Sequence, residues 1–417
     1  MPRSAVGPLI ASVVLITVAG VVLVLSGDSG EPQQALAPTP TAEPEATVTP
    51  AATLPPSPTT TIGSAPLPTL APTDGTLVYL RGTDLWVASL DGGQTLPPRA
   101  ITTDSLGIGY AGHVSRADGG TDLYFTIQLS EDRVENNRYI TDYGLYRATL
   151  KGGEPEELFR FSGRRLSFNF PSGASVSPNG EHVAYSDTEG LVLLDLASGE
   201  RTRLLSNGDC TGFQTCVGYY VPKWSPTGGL LKVTEVFYEG AFDIIINPFE
   251  SPVSVIDIQQ GGLYSVWSPD GERLCMGQDL VIGSGMLVLF DVGTGRIDDL
   301  AVKLQALAPN GTMLRTLAHG CVWSEDGRLT VSYIVSDDPR SRRIAVIDEQ
   351  LAFLTQSESI PHLLHVLAWL PDSSGVVFDR SSTTGAPRQP RPAGIYHLKQ
   401  GILALPFEAD QVLGVIR

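Results

Sequence analysis

The sequence predicts an all-β fold, a β-propeller built from four-stranded blades. Three observations lead to this prediction. A hexapeptide close to VWSPDG (266–271) occurs six times in related form, and its copies lie 43 to 61 residues apart. Between the copies, short apolar runs alternate with turn residues. A repeat of roughly 40–50 residues that holds several short strands is typical of propeller blades.

Each copy of the hexapeptide is predicted to end one strand and to turn tightly into the next. Asn-Gly and Asp-Gly pairs, as in SVSPNG (175–180), tolerate the positive φ values that such turns need. A third strand ends in an acidic residue and a second turn, as in VLFDVGTG (288–295), and a short fourth strand follows. A large ring at one point of every unit suits packing between neighbouring blades, so a structural role is predicted for the tryptophans there. Four of the five tryptophans occupy this point: Trp224, Trp267, Trp323 and Trp369.

These units resemble the TolB-type propeller repeat, whose hallmark is a WSPDG turn followed by a strand of the type IYVVDLDTG. The resemblance covers residues 76–417. It implies the fold but says little about function. Repeats of this family form the periplasmic TolB propeller, many surface-binding modules and the non-catalytic domain of prolyl-oligopeptidase-like enzymes.

The predicted number of blades is seven, and six is the alternative. The first unit (76–93) has a second and a third strand but no first strand. Propellers close by letting one terminus complete the blade that the other begins, because closure removes open edges. The apolar run QVLGVIR (411–417) can supply the missing strand. Six blades would result if residues 366–406 and 76–103 shared one blade.

The N-terminal residues predict a membrane anchor. Residues 9–25 read LIASVVLITVAGVVLVL, and no charge lies between residues 5 and 26. A bilayer core needs roughly 17–25 apolar residues in a helix. We therefore predict residues 9–26 as an uncleaved transmembrane helix, with a cleaved signal peptide as the alternative.

The orientation of this anchor follows from the positive-inside rule. Arg3 and the terminal amine leave residues 1–8 in the cytoplasm and the propeller, residues 75–417, outside the membrane. The segment between them, residues 27–74, has eleven prolines, is rich in Thr and lacks Lys and Arg. Such a composition predicts a disordered, extended stalk.

The sequence predicts no catalytic residue, no cofactor site and no metal site. His362 and His365 are close in sequence, but in an extended chain this spacing points them to opposite faces. The oxygen-rich segment SEDRVENN (130–137) lacks the alternation of a calcium loop and is interpreted as a solvated loop.

Two cysteine pairs remain as candidate disulfides. Cys210 and Cys216 are predicted to close a small loop, because the space outside the membrane is oxidising. Cys275 and Cys321 lie in adjacent units. They either bridge two blades or remain small buried hydrophobic side chains.

Composition limits the partners. The chain has 28 Lys and Arg against 45 Asp and Glu, a net charge of −17, which repels phosphate backbones. Nucleic acid is therefore not an expected partner. We predict a non-enzymatic binding or scaffold module that is tethered to the membrane and presents its loop faces and central channel to a protein or an envelope polymer. The alternative is a propeller hydrolase of the lactonase or glycosidase class, with carboxylates or histidines converging in the channel.

Overall fold

A computed structural model describes the chain from Gly75 to Ile416, with gaps at several connections. The described residues are 75–81, 84–90, 99–101, 109–116, 122–135, 138–150, 154–165, 173–208, 217–237, 240–258, 264–278, 286–305, 314–335, 341–361, 363–380, 391–409 and 411–416. The predicted anchor and stalk and the pair Cys210 and Cys216 lie outside these residues. None of the described residues forms a helix with the length and apolar character needed to cross a bilayer.

Almost all regular structure in the described part is β-strand. In chain order the strands are β1 (Thr76–Arg81), β2 (Asp84–Ser89), β3 (Arg99–Ala100), β4 (Gly109–Arg116), β5 (Asp122–Gln128), β6 (Arg133–Glu135), β7 (Arg138–Thr149), β8 (Glu156–Arg165), β9 (Ala174–Val176), β10 (His182–Ser186), β11 (Gly190–Asp195), β12 (Arg201–Ser206), β13 (Gly218–Trp224), β14 (Leu231–Phe237), β15 (Gly240–Asn247), β16 (Ser254–Asp257), β17 (Tyr264–Trp267), β18 (Arg273–Gln278), β19 (Met286–Asp291), β20 (Ile297–Asp299), β21 (Leu314–Trp323), β22 (Leu329–Val335), β23 (Ser341–Ile347), β24 (Phe353–Gln356), β25 (Ile360–Pro361), β26 (Leu363–Trp369), β27 (Gly375–Arg380), β28 (Arg391–His397), β29 (Gly401–Ala409) and β30 (Gln411–Ile416). One short helix, α1 (Leu300–Leu304), follows β20.

These strands form seven antiparallel sheets, which we denote A to G. Sheet A has the strand order β30-β1-β2-β3, and sheet B contains β4 to β8. Sheets C, D, E and G are β9–β12, β13–β16, β17–β20 and β26–β29. Sheet F contains β21–β24, with β25 paired to β23. The all-β prediction is confirmed.

The core lies between the sheets and not within one layer. Each sheet shares an apolar cluster with the next one along the chain. A further cluster joins the last sheet to the first, where Leu77 and Tyr79 of sheet A pack with Val377 and Ile395 of sheet G. Each of these sheets therefore buries apolar side chains on both faces, as the blades of a β-propeller do.

The two ends of the described part of the chain meet in sheet A. Strand β30 pairs with β1, with Thr76 opposite Ile416 and Leu80 opposite Gln411. The prediction that the C-terminal strand completes the first unit is confirmed. The six-blade alternative required the last and first units to share a blade, but their strands lie in separate sheets, G and A.

The recurring hexapeptide is held by its serine. The hydroxyl of Ser268 accepts a hydrogen bond from the main-chain N–H of Arg273 (2.8 Å) and bonds to the carboxylate of Asp270 (2.5 Å). Gly271 has a φ of 73°, a value that favours glycine. The equivalent serines accept a main-chain N–H in the same way: Ser177, Ser225 and Ser324. In sheets C to F, the motif closes the hairpin between the first and second strands of the unit.

The repeat tryptophans lie at the contact between neighbouring sheets. In three of them the indole N–H donates to a main-chain carbonyl of the preceding sheet, and the pairs are Trp224 to Ser175 (2.9 Å), Trp267 to Lys223 (3.1 Å) and Trp369 to Val322 (3.1 Å). The indole nitrogen of Trp323 has no hydrogen-bond partner in the described part of the chain. The guanidinium of Arg273 covers its ring instead, 4.9 Å from the centroid.

A disulfide joins two neighbouring sheets. Cys275 on β18 is bonded to Cys321 on β21, with their Cα atoms 6.5 Å apart. Both residues are buried. Of the two alternatives left open by the sequence, the structure has the bridge between units.

The closing strand can be tested by truncation. Removing residues 411–417 should lower the thermal midpoint and promote self-association, because β1 becomes an open edge beside a buried core. Thermal melts and size-exclusion chromatography measure both effects. Removing Arg417 alone, which lies beyond β30, is the control and should change neither. A truncated protein that melts like the full chain would contradict the closure.

The indole hydrogen bonds can be tested with a matched pair of substitutions. Trp224→Phe removes the donor to the Ser175 carbonyl, whereas Trp323→Phe removes no hydrogen bond to the described residues. We expect Trp224→Phe to lower the free energy of unfolding by about 1–2 kcal/mol more than Trp323→Phe, because a buried acceptor is left unsatisfied. Urea denaturation of both variants measures the difference. Equal losses would show that the ring and not the N–H stabilises the contact.

Candidate functional site

The connections between strands are divided between two edges of the sheets. Strands alternate in direction, so the turns that join the first strand to the second and the third to the fourth share one edge, the turn edge. The second-to-third connections and the links between sheets share the opposite edge, the loop edge. The three longest stretches of sequence between described strands link strand ends that lie at the loop edge: residues 207–217, 300–313 and 381–390. Variable loops of this kind carry the binding function of many scaffolds.

Sheet B presents a polar network at its loop edge. The carboxylate of Asp142 accepts hydrogen bonds from Arg133 (2.7 Å) and Ser162 (2.6 Å), and its main-chain N–H donates to Ser130. Partial burial alone would raise the pKa of Asp142, but the bonds from Ser162 and Arg133 hold this pKa below its usual range. The solvated-loop interpretation of residues 130–137 is wrong in part, because strand β6 (Arg133–Glu135) lies within them and pairs with β7.

Sheet G places a histidine beside a buried carboxylate. Nδ1 of His365, near the start of β26, lies 3.0 Å from Oδ1 of Asp379. The same oxygen accepts the main-chain N–H of His365 (2.9 Å). Asp379 is buried and His365 is partly exposed. A carboxylate on Nδ1 orients an imidazole, which serves either a structural contact or proton transfer. His362 lies outside the described residues.

A charged network is buried between sheets D and E. The side chains of Lys232 and Asp243 are fully buried, and the ammonium lies 3.1 Å from the carboxylate. The hydroxyl of Thr234 accepts from Lys232 (2.9 Å) and donates to Asp243 (2.8 Å). Nearby, Nζ of Lys223 donates to the carbonyl of Ser265 on sheet E (2.9 Å). Burial, reinforced by the neighbouring charge of Lys232, lowers the pKa of Lys223 to about 8.

The sequence did not predict the ion pair of Lys232 with Asp243 in sheet D or the pair of His365 with Asp379 in sheet G. Lys232 and Thr234 alternate with apolar residues in β14, and Asp243 opens an apolar run in β15. Alternation of this kind ordinarily indicates a solvent face. Sheet D is packed on both faces, and there the polar residues of this pattern form a buried ion pair instead. No group of three His, Cys, Asp or Glu side chains suited to a metal ion occurs among the described residues.

Comparison with known proteins shows the fold. No protein-family model and no curated protein matches the chain. An oligogalacturonate lyase from Vibrio parahaemolyticus superposes with a TM-score of 0.50 over 80% of this chain and 86% of that one, at 12% identity. A prolyl endopeptidase superposes with a TM-score of 0.50 over 84% of this chain, at 11% identity, and this chain spans 50% of its length. TolB from Acinetobacter baumannii is 16% identical over 82% of this chain and 81% of its own, with a TM-score of 0.42. These likenesses show that the chain has a β-propeller fold.

The low pKa of Lys223 predicts a rise in stability at alkaline pH. The folded state releases this proton near pH 8, whereas an unfolded lysine holds it to about pH 10.4. Between these values the unfolded chain binds more protons, so the free energy of unfolding increases with pH. Tyrosines with a raised pKa, such as Tyr219 at about 12, act in the opposite sense only above about pH 10.

Urea denaturation at intervals from pH 7 to 10 measures this slope. We expect Lys223→Met to reduce it, because the titrating group is gone. Lys303→Met, which removes an exposed lysine of α1, is the control and should leave the slope unchanged. A slope that persists in full in Lys223→Met would assign it to another group.

Proposed function

We propose that this protein is a non-enzymatic binding or scaffold propeller, tethered to the membrane by residues 9–26, that presents its loop edge to a protein or an envelope polymer. The observation that carries the proposal is the separation of the two edges. At one edge, the hairpins between the first and second strands of sheets C, D, E and F are each closed by a serine that accepts a main-chain N–H. The other bears the three longest connections.

The proposed location outside the membrane has two supports. The apolar run of residues 9–25 has the length of a bilayer-spanning helix. The disulfide between Cys275 and Cys321 is of the kind that persists in oxidising surroundings and is rare in the cytosol. In this proposal residues 27–74 hold the propeller away from the bilayer, and residues 1–8 remain in the cytoplasm.

We also infer seven blades, one for each of the sheets A to G. The support is the series of apolar clusters, each shared by two neighbouring sheets, together with the cluster that joins sheet G to sheet A. In this arrangement β30 is the innermost strand of the first blade. The first strands of the other sheets surround the central channel beside it.

A propeller hydrolase of the lactonase or glycosidase class is the second candidate. The pair formed by His365 and Asp379 favours it, because a buried carboxylate on Nδ1 orients the imidazole for proton transfer. His365 lies on the first strand of its sheet, which in a propeller borders the channel. The class further requires an activated nucleophile or water in reach of the imidazole.

Site-specific photo-cross-linking tests the binding edge. A photoreactive residue replaces Glu131, an exposed residue at the loop edge of sheet B, or Glu272, an exposed residue directly after the hexapeptide of sheet E. The full-length protein is then irradiated in cells. We expect a discrete cross-linked species from position 131 and none from position 272, because only the loop edge faces the ligand.

Position 272 is the control for position 131, because both are exposed glutamates of the same protein. Equal products from both positions would indicate contact by random collision. A product from position 272 alone would place the ligand on the turn edge and overturn the proposal.

A further inference from the structure

Two arginines reach the loop edge where sheets F and G meet. Arg342 lies near the start of β23 in sheet F, and Arg380 ends β27 in sheet G. Side chains along a strand alternate between its faces. Arg342 therefore shares a face with Ile344, and Arg380 shares one with Phe378, and both of these residues belong to the cluster between sheets F and G. The two arginines point into the same interface, at its loop end.

Contacts with the start of β26 bring the arginines together. Nη1 of Arg342 donates to the carbonyl of Leu363. Leu363 is the residue directly opposite Arg380 in the β26–β27 register, and Cα atoms of opposite residues lie about 4.5–5.5 Å apart. The guanidinium of Arg380 covers the ring of Phe378, 5.5 Å from its centroid. Both guanidinium groups thus border one small region around Leu363.

Neither arginine has a carboxylate partner among the described residues. Asp379 adjoins Arg380 in sequence, but it points to the other face of the strand and bonds to His365. Other arginines of the described part pair with a carboxylate at 2.5–3.0 Å: Arg133, Arg147, Arg160, Arg203, Arg296 and Arg328. Burial lowers the pKa of Arg342 and of Arg380.

The free donors of these arginines face outward. A guanidinium has five N–H donors, and the one bond of Arg342 to a protein group in the described part uses Nη1. No nitrogen of either side chain is both buried and without a hydrogen-bond partner. Within the described part of a protein of net charge −17, this half-buried positive charge has available donors but no counter-charge of the kind that partly buried ions ordinarily have.

We propose that Arg342 and Arg380 form an oxyanion site at the loop edge between sheets F and G, which binds a carboxylate or phosphate group of the ligand. Planar guanidinium forks match the two oxygens of such a group. A single oxyanion is favoured over a polyanion, because the acidic surface repels an extended negative chain. Salt screens the charge of the surrounding surface beyond about 8 Å. The site deepens the proposed function, since it lies on the edge proposed to bind.

Anion titration of the full-length protein tests the site. The thermal midpoint is measured against sodium phosphate and, separately, sodium acetate, with sodium chloride keeping the ionic strength constant. We expect a saturable rise with at least one of the two anions. A rise with phosphate alone assigns a phosphate group, a rise with acetate alone assigns a carboxylate, and a rise with both assigns an unselective oxyanion site.

Three variants localise the effect. Arg342→Gln and Arg380→Gln should each raise the half-saturating anion concentration at least ten-fold. Arg160→Gln, which removes an exposed arginine paired with Glu157, should not change it. Arg342→Gln loses the bond to Leu363 and could therefore fail to fold. In that case Arg380→Gln is the test, because Arg380 makes no hydrogen bond to the described residues.

Two results would overturn the site: no saturable rise with either anion, or an equal loss of affinity in Arg160→Gln. Both are distinct from a failure of the proposed function. A flat titration removes the oxyanion site and leaves the loop edge as the binding edge. Cross-linking confined to position 272 removes the loop edge and leaves the titration valid.

Discussion

The pairing of β30 with β1 is the contact on which the rest of the structure depends. Every sheet has apolar residues on both faces, so each needs a neighbour on both sides. Without β30, sheet A would present an open strand edge next to sheets B and G. The chain therefore brings together strands more than three hundred residues apart in sequence. The entropic cost of closing such a loop grows only slowly with the number of residues in it. The apolar surface that the contact helps to bury extends over two interfaces between sheets.

The contacts between sheets are similar in kind but differ in strength and chemistry. The tryptophan N–H, where it is bonded, ties one sheet to the main chain of the sheet before it. The contact at Trp323 has a stacked arginine in place of this bond, and there the disulfide from Cys275 to Cys321 joins the same two sheets. Between sheets D and E, an ion pair replaces part of the apolar cluster. A buried ion pair adds little net stability over apolar packing, but it strongly disfavours any arrangement that separates its members.

The division into a turn edge and a loop edge links the fold to the proposed function. The turns that are closed by a serine side chain are similar in sheets C to F. They stabilise the sheets and offer little variety for recognition. The connections of the loop edge differ in length and composition. Polar groups such as Asp142, His365 and Arg380 lie near that edge, on strands that the sheets hold in place. A rigid scaffold that carries variable loops is a common basis for specific binding.

The sequence by itself determined the class of fold, the repeating unit, the turn chemistry and the closing strand. These depend on local patterns: the period of the hexapeptide, its Ser and Gly, and one apolar run at the C-terminus. It could not determine which polar residues meet. Lys232 and Asp243 are joined across β14 and β15, and Cys275 and Cys321 are joined across two sheets. Arg342 of sheet F bonds to Leu363, the residue opposite Arg380 in sheet G. Such pairs depend on the register of strands and on which sheets are neighbours. Neither can be predicted from the spacing of residues within one unit. Only the tertiary structure decides whether a charge in a strand faces water or another sheet.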